Sequence, residues 1–136
     1  MTPMVVDASM AMAWCFEDES TPTTDQVLDR LAVTGAVVPT LWWFEVANVL
    51  VVAERRGRIT ESAVTRFLEL LGQLPIRDDE APTDAHTLIA TGRRHGLSAY
   101  DAAYLALAER LGAPLATLDA RLIGAARNAG VVTVGH

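Results

Sequence analysis

A chain of 136 residues has the usual size of one domain, so a single core and a single domain are expected across residues 1–136. A net charge of −6 argues against broad nonspecific binding to a polyanion, though not against a nucleic-acid substrate at a site that cations neutralise. The single cysteine, Cys15, excludes an internal disulfide and a cysteine-based zinc site, and the absence of lysine excludes a P-loop, which ends in Gly-Lys-Ser/Thr.

Met4-Val5-Val6 reads as a short buried strand ending at Asp7. Ala8 to Phe16 has helical composition, and Glu17 to Pro22 reads as an acidic turn. A second helix is expected from Thr24 to Val33, with Val27, Leu28 and Leu31 at helical spacing and Gly35 as its stop. Ala36-Val37-Val38 is a second strand, closed by Pro39. Thr40 opens a long helix to Arg56, and a fourth starts at Thr60 with Val64, Phe67, Leu68 and Leu71 on one face. Leu74 to Arg77 is a weak strand. Helices follow over Thr83–His95 and Ser98–Leu111, then a strand over Leu115–Leu118, a helix over Ala120–Asn128 and a last strand over Val131–Val134. Strands alternating with helices predict an α/β domain of three layers, with a central parallel sheet of four to five strands.

The hydrophobic fraction is 51% and the mean hydropathy +0.24, which suggests a filled core with apolar surface left for a partner. A spanning helix needs about 20 apolar residues. The most apolar stretch, Leu41 to Ala53, carries Glu45 and Asn48 and runs into Glu54-Arg55-Arg56. The N-terminus lacks the basic start and apolar length of a signal peptide. A soluble, cytoplasmic protein is therefore expected.

In an open α/β sheet, ligands bind beyond the carboxyl ends of the strands. Asp7 and Asp119 each follow a predicted strand directly, so both can reach one crevice. Each also fits a helix N-cap. Asp101 falls in a capping-box pattern, Ser98-Ala99-Tyr100-Asp101, at the start of a helix rich in alanine. Glu45 interrupts the apolar Trp42-Trp43-Phe44 and Val46-Ala47, where an unpaired charge is expensive. With no lysine to pair with it, either an arginine or a metal ion must compensate that charge. Four bare carboxylates in one pocket would repel strongly, so protonation or divalent cations must relieve them. An all-oxygen donor set favours Mg²⁺ or Mn²⁺ over zinc. His86, His95 and His136 have no metal-ligand spacing. Glu17-Asp18-Glu19 and Asp78-Asp79-Glu80 are denser in charge but sit beside prolines, and read as solvated turns.

Four segments, in this order, resemble the motifs of PIN-domain nucleases. They are Val5-Val6-Asp7-Ala8-Ser9, Phe44-Glu45-Val46-Ala47-Asn48-Val49-Leu50, Ser98 to Ala108, and Leu115-Ala116-Thr117-Leu118-Asp119. The form Tyr-Asp-Ala-Ala-Tyr-Leu-Ala is most similar to the VapC toxins of VapBC toxin–antitoxin pairs. The resemblance implies a Mg²⁺- or Mn²⁺-dependent endoribonuclease neutralised by a VapB-type antitoxin. By position it implies Asp7 and Asp101 as principal metal ligands, Glu45 and Asp119 as completing the site, and Ser9, Asn48 and Thr117 as orienting ligands or water.

For the RNA backbone, Arg55, Arg56, Arg58, Arg93 and Arg94 are candidates, although helix C-terminal arginines also balance the macrodipole. Trp42, Trp43, Val46, Leu50 and Val51 spread around the third helix more widely than one core-facing stripe requires. The surplus suggests a homodimer through the third and fourth helices, or a surface for an antitoxin helix. Two other classes compete. One is a phosphatase using Asp7 as nucleophile, against which Ser9 stands where a second Asp is wanted. The other is a non-catalytic module whose acids serve as caps.

Overall fold

The computed structural model describes residues 2–136. Five parallel strands form its central sheet: β1 (Met4–Val6), β2 (Ala36–Val38), β3 (Ile76–Asp78), β4 (Leu115–Ala116) and β5 (Thr133–Val134), in the order β3-β2-β1-β4-β5. Val5 lies between Val37 on one side and Leu115 on the other, so β1 is central. Continuous apolar strands suit this arrangement, because a parallel sheet is covered on both faces. Both β1 and β2 are buried at every residue, while β3, at the edge, is mostly exposed.

The helices are α1 (Ala8–Cys15), α2 (Pro22–Thr34), α3 (Leu41–Arg55), α4 (Glu61–Gln73), α5 (Ala85–His95), α6 (Ala99–Leu111) and α7 (Ala120–Asn128). Right-handed crossovers between parallel strands assign α1 to α4 to one face and α5 to α7 to the other. Packing agrees with this: α1 meets α2 and α3, whereas α6 meets α5 and α7. Residues 102 to 108 of α6 are all buried. Four of them are alanines, so the backbone of α6 comes close to the sheet.

Three boundaries differ from expectation for local reasons. The acidic turn narrows to a 3-10 segment at Glu17–Glu19, and α2 begins at Pro22. Thr21 and Thr24 form a reciprocal cap there, with proline in the first helical turn where no N–H is needed. The weak strand starts later, at Ile76, after Pro75, which has no N–H to give to the ladder although its carbonyl accepts from Ala36 N at 3.0 Å. A Cβ on Gly35 would sit 3.1 Å from that same oxygen, at a backbone φ of +80°. Finally, α5 starts at Ala85, where Asp84 caps it by accepting from Thr87 N at 2.8 Å.

One expectation about surface fails. Trp42, Val46 and Leu50 belong to the core, with Trp42 fully buried. Its ring meets Trp43 edge to face, with centroids 4.7 Å apart. A helix squeezed between the sheet and α1 buries a wider arc than one stripe, which accounts for the apolar excess. What remains exposed on α3 is Phe44 and Val51, joined by Leu68 and Leu70 of α4. The charged turns are largely exposed, as expected, and several of their acids are also paired. Asp18 and Glu19 bind Arg58 at 3.0 and 2.7 Å, Asp79 binds Arg110 at 2.6 Å, and Asp78 accepts from Trp43 Nε1 at 2.6 Å.

Candidate acidic site at the carboxyl edge

Asp7 directly follows the central strand, still extended and donating its N–H to Ala116 O at 3.1 Å, and its side chain caps α1. Oδ1 accepts from Met10 N at 3.1 Å and from Ser9 Oγ at 2.7 Å, while Oδ2 accepts from Thr117 Oγ1 at 2.5 Å. Those two hydroxyls are themselves anchored beyond β4. Ser9 Oγ accepts from Leu118 N, and Thr117 Oγ1 from Asp119 N, both at 3.0 Å. The ends of β1 and β4 are thus laced together through one carboxylate, which is only 6% exposed. Burial pushes its pKa from 3.8 up to about 6, against the pull of the hydrogen bonds from Thr117, Ser9 and Met10. The nearby charge of Asp119 pushes it further in the same direction.

Asp119 caps α7, accepting from Arg121 N at 2.9 Å and Leu122 N at 3.2 Å. Its charge reaches Asp101 as well as Asp7. Asp101 occupies the first turn of α6, where Ser98 rather than Asp101 is the cap. Burial and Asp119 raise the Asp101 pKa, and the Ser98 hydroxyl and Arg121 oppose that rise. Glu45, one turn into α3, is half-buried and raised by burial and by the charge of Asp101, while a hydrogen bond from Tyr104 opposes the shift. The acids therefore form a coupled series, Asp7–Asp119–Asp101–Glu45, along the carboxyl edge. The charge of Asp119 acts on both Asp7 and Asp101.

No lysine or arginine forms an ion pair with any of the four among the described residues. Raised acids without a paired cation, offering oxygen donors only, suit a hard divalent ion. No three His, Cys, Asp or Glu side chains among the described residues gather tightly enough to hold an ion by themselves. Such a spread set still fits Mg²⁺, which keeps several waters and takes one or two carboxylates together with phosphate oxygens. The rim is open rather than cavernous. Larger clefts lie elsewhere, about 560 Å³ beside Cys15 and Arg58 and about 480 Å³ around Arg30 and Gly112.

Of the other predicted residues, Ser9 and Thr117 contact Asp7 directly. Asn48 is exposed and makes no side-chain hydrogen bond among the described residues, so its expected orienting role has no contact behind it. Arg58 is withdrawn as an RNA contact: two acids hold it, and its guanidinium carbon lies 3.8 Å above the Phe16 ring. Arg55 and Arg56 lie at the end of α3, about 15 Å of helix rise beyond Glu45. Arg93 and Arg94 lie in the last turn of α5, just before the chain turns into α6. That turn is tight: Leu97 N donates to Gly92 O at 3.0 Å, and a Cβ on Gly92 would meet Leu97 O at 2.8 Å.

Two residues were missed by sequence reasoning. Arg121 follows Asp119 by two positions and is the one cation whose field reaches the acids. Tyr104, almost wholly buried, donates its hydroxyl to Glu45 Oε1. Its position three residues after Asp101 on the same helix was the available signal.

The PIN domain family model matches residues 4–128. A curated relative, Ribonuclease VapC3 of Pyrobaculum aerophilum, is 33% identical over 122 residues, covering 88% of this chain and 91% of that protein. The crystal structure of PAE2754 from Pyrobaculum aerophilum superposes with a TM-score of 0.73, covering 98% of this chain and 90% of the other. Identity in that superposition is 23%, and the likeness is one of fold.

Proposed function

The chain belongs to the PIN domain family, and from that premise we propose that it is a toxin-type endoribonuclease working as one nuclease domain in the cytoplasm. The observation that carries the reading is the uncompensated acid series at the carboxyl edge, raised in pKa and free of arginine partners. Similarity to a protein named as a ribonuclease supports RNA as the substrate. Asp7 and Asp101 are the principal ligands of Mg²⁺ or Mn²⁺, with Glu45 and Asp119 completing the site directly or through water. When bound, such an ion neutralises phosphoryl oxygens and activates a water for attack. Ser9 and Thr117 hold the Asp7 carboxylate in one orientation by hydrogen bonds to both of its oxygens. Arg93, Arg94 and Arg121 bind the RNA backbone on either side of the rim.

Regulation falls to a VapB-type antitoxin, and the protein is a homodimer. The exposed Phe44, Val51, Leu68 and Leu70 of α3 and α4 supply the dimer surface, in place of the buried Trp42 and Leu50. A basic antitoxin side chain suits the acid rim for the same electrostatic reason that a metal ion does. No helix among the described residues is long and apolar enough to cross a membrane.

The test is incubation of the purified protein with total RNA and Mg²⁺ or Mn²⁺, with and without chelator, beside Asp101→Asn. Cleavage that needs the metal and Asp101 is expected. Metal binding without cleavage of any RNA would favour a non-catalytic module.

A further inference from the structure

Tyr104 is the largest polar side chain buried beneath the rim, and the chemistry described so far makes no use of it. It projects from α6, on one face of the sheet, and meets Glu45 of α3, on the other face, over the ends of the strands. The charges of Glu45, Asp7 and Asp101 all bear on its hydroxyl and, with burial, hold its pKa far above the ordinary tyrosine range. It is therefore a permanent donor, and its proton goes to Glu45 Oε1. This is the one hydrogen bond that Glu45 makes among the described residues, and Oε2 has no protein partner.

A buried tyrosine needs an acceptor, but the need would be met as well by a glutamine or a backbone carbonyl. A carboxylate is the costly choice, because half-burial and Asp101 both work against its charge. The dependence thus runs from Glu45 to Tyr104. The hydroxyl favours the ionised form, and it fixes a side chain with three rotatable bonds in one orientation.

Resting on the ribonuclease reading above, we propose that Tyr104 is a positioning residue for the metal site. By anchoring Oε1 of Glu45 it keeps Oε2 preset as a ligand, directly or through a metal-bound water. Outer partners of this kind are worth 10- to 100-fold in metal affinity or activity.

The experiment measures Mn²⁺ affinity by calorimetry for the wild type, Tyr104→Phe, Glu45→Gln and the double variant, with thermal melts alongside. Phenylalanine keeps the buried ring and removes only the oxygen. Tyr104→Phe is expected to weaken Mn²⁺ about 10-fold with an unchanged melt, and to add nothing in the Glu45→Gln background. Unchanged affinity, or an equal further loss in that background, would overturn the proposal. A wild type that binds no Mn²⁺ would instead remove the ribonuclease reading, and this inference with it. A second measurement does not depend on Tyr104→Phe folding. In protein carrying 3-fluorotyrosine, the buried Tyr104 and the exposed Tyr100 should give separate fluorine resonances. Mg²⁺ should shift the buried one in the wild type and leave it in place in Glu45→Gln; a shift of equal size in both would count against coupling through Glu45.

Discussion

Among the described residues, Asp18, Glu19 and Asp79 each pair with an arginine, whereas Asp7, Glu45, Asp101 and Asp119 form no ion pair. The first set lies in two turns of dense negative charge, and the second is scattered over four separate segments. Compensation runs opposite to what density in the sequence suggests. Local crowding is relieved by Arg58 and Arg110, which tie the turns to neighbouring elements. At the carboxyl edge the fold gathers isolated acids, raises the pKa values of Asp7, Glu45 and Asp101, and leaves them without an arginine in ion-pair contact among the described residues. A charge that the chain could have neutralised and did not is better evidence of function than a charge-rich run.

The comparison is broken most directly at Asp101, whose first-turn position in α6 does not require a carboxylate, because Ser98 is the cap. Asp101→Asn is expected to reduce metal-dependent RNA cleavage by more than about 100-fold, beyond the range of outer-sphere partners. Its melting temperature should hold or rise as like charge is relieved. Asp7→Ala is expected to be as inactive yet, at pH 5, where the buried charge is largely neutralised, less stable by about 1 kcal/mol, because Asp7 also caps α1. Steady-state cleavage of a labelled RNA and paired thermal melts check both. Equal destabilisation in the two variants would mean that both acids serve the fold.

The stored charge should also show as an inverted dependence on pH. Burial holds the Asp7 carboxyl at a pKa of about 6 in the folded state, against 3.8 for a free aspartate, so between those values the folded state holds a proton that the unfolded state has released. Stability contributed by this group is then highest at the acid end, falls as pH rises through that window, and levels above it. A shift of about two units corresponds to about 3 kcal/mol, at roughly 1.4 kcal/mol per unit. Glu45 and Asp101 act in the same direction. Urea unfolding without metal should show greater stability at pH 5 than at pH 7.5, and the gap should shrink in Asp7→Asn. Added Mg²⁺ should recover stability at pH 7.5 by binding the folded state. A wild-type gap that Asp7→Asn leaves untouched would assign the dependence to other groups.

The sequence made the order of the elements along the chain, many of their boundaries and the two strand-end acids readable for one reason. Short apolar runs, glycine stops and capping residues are local signals, and Asp7 and Asp119 follow their strands at once. Glu45 stood out because a charge in an apolar helix needs a partner. Its partner did not stand out, since Tyr104 is 59 residues away and the contact exists only after two layers meet over the sheet. The same limit hid the fate of Trp42, which local periodicity assigns to surplus surface and which α1 and the sheet enclose. It also hid the clamp between Arg58 and Asp18, 40 residues apart. Period and capping travel along the chain; pairing across layers does not.

The smallest expected effect concerns the arginines, and it sharpens the comparison from the cation side. If the chain reserves some guanidinium groups for structure and others for substrate, removing one of each kind should move different observables. Arg58 is held by Asp18 and Glu19 and lies over Phe16. Arg58→Ala should lower the melting temperature slightly, because exposed ion pairs are worth little, and leave cleavage kinetics intact. Arg121 has no ion pair among the described residues, yet its field reaches Asp101. Arg121→Ala should leave the melt unchanged and raise KM for RNA a fewfold, more at low salt than at high salt, as loss of one phosphate contact requires. A salt-dependent loss in Arg58→Ala as well would mean that the α1–α4 side also carries RNA, and that the clamp opens to receive it. The division of arginines would then be one of degree, with the acidic turn competing with the substrate for the same guanidinium.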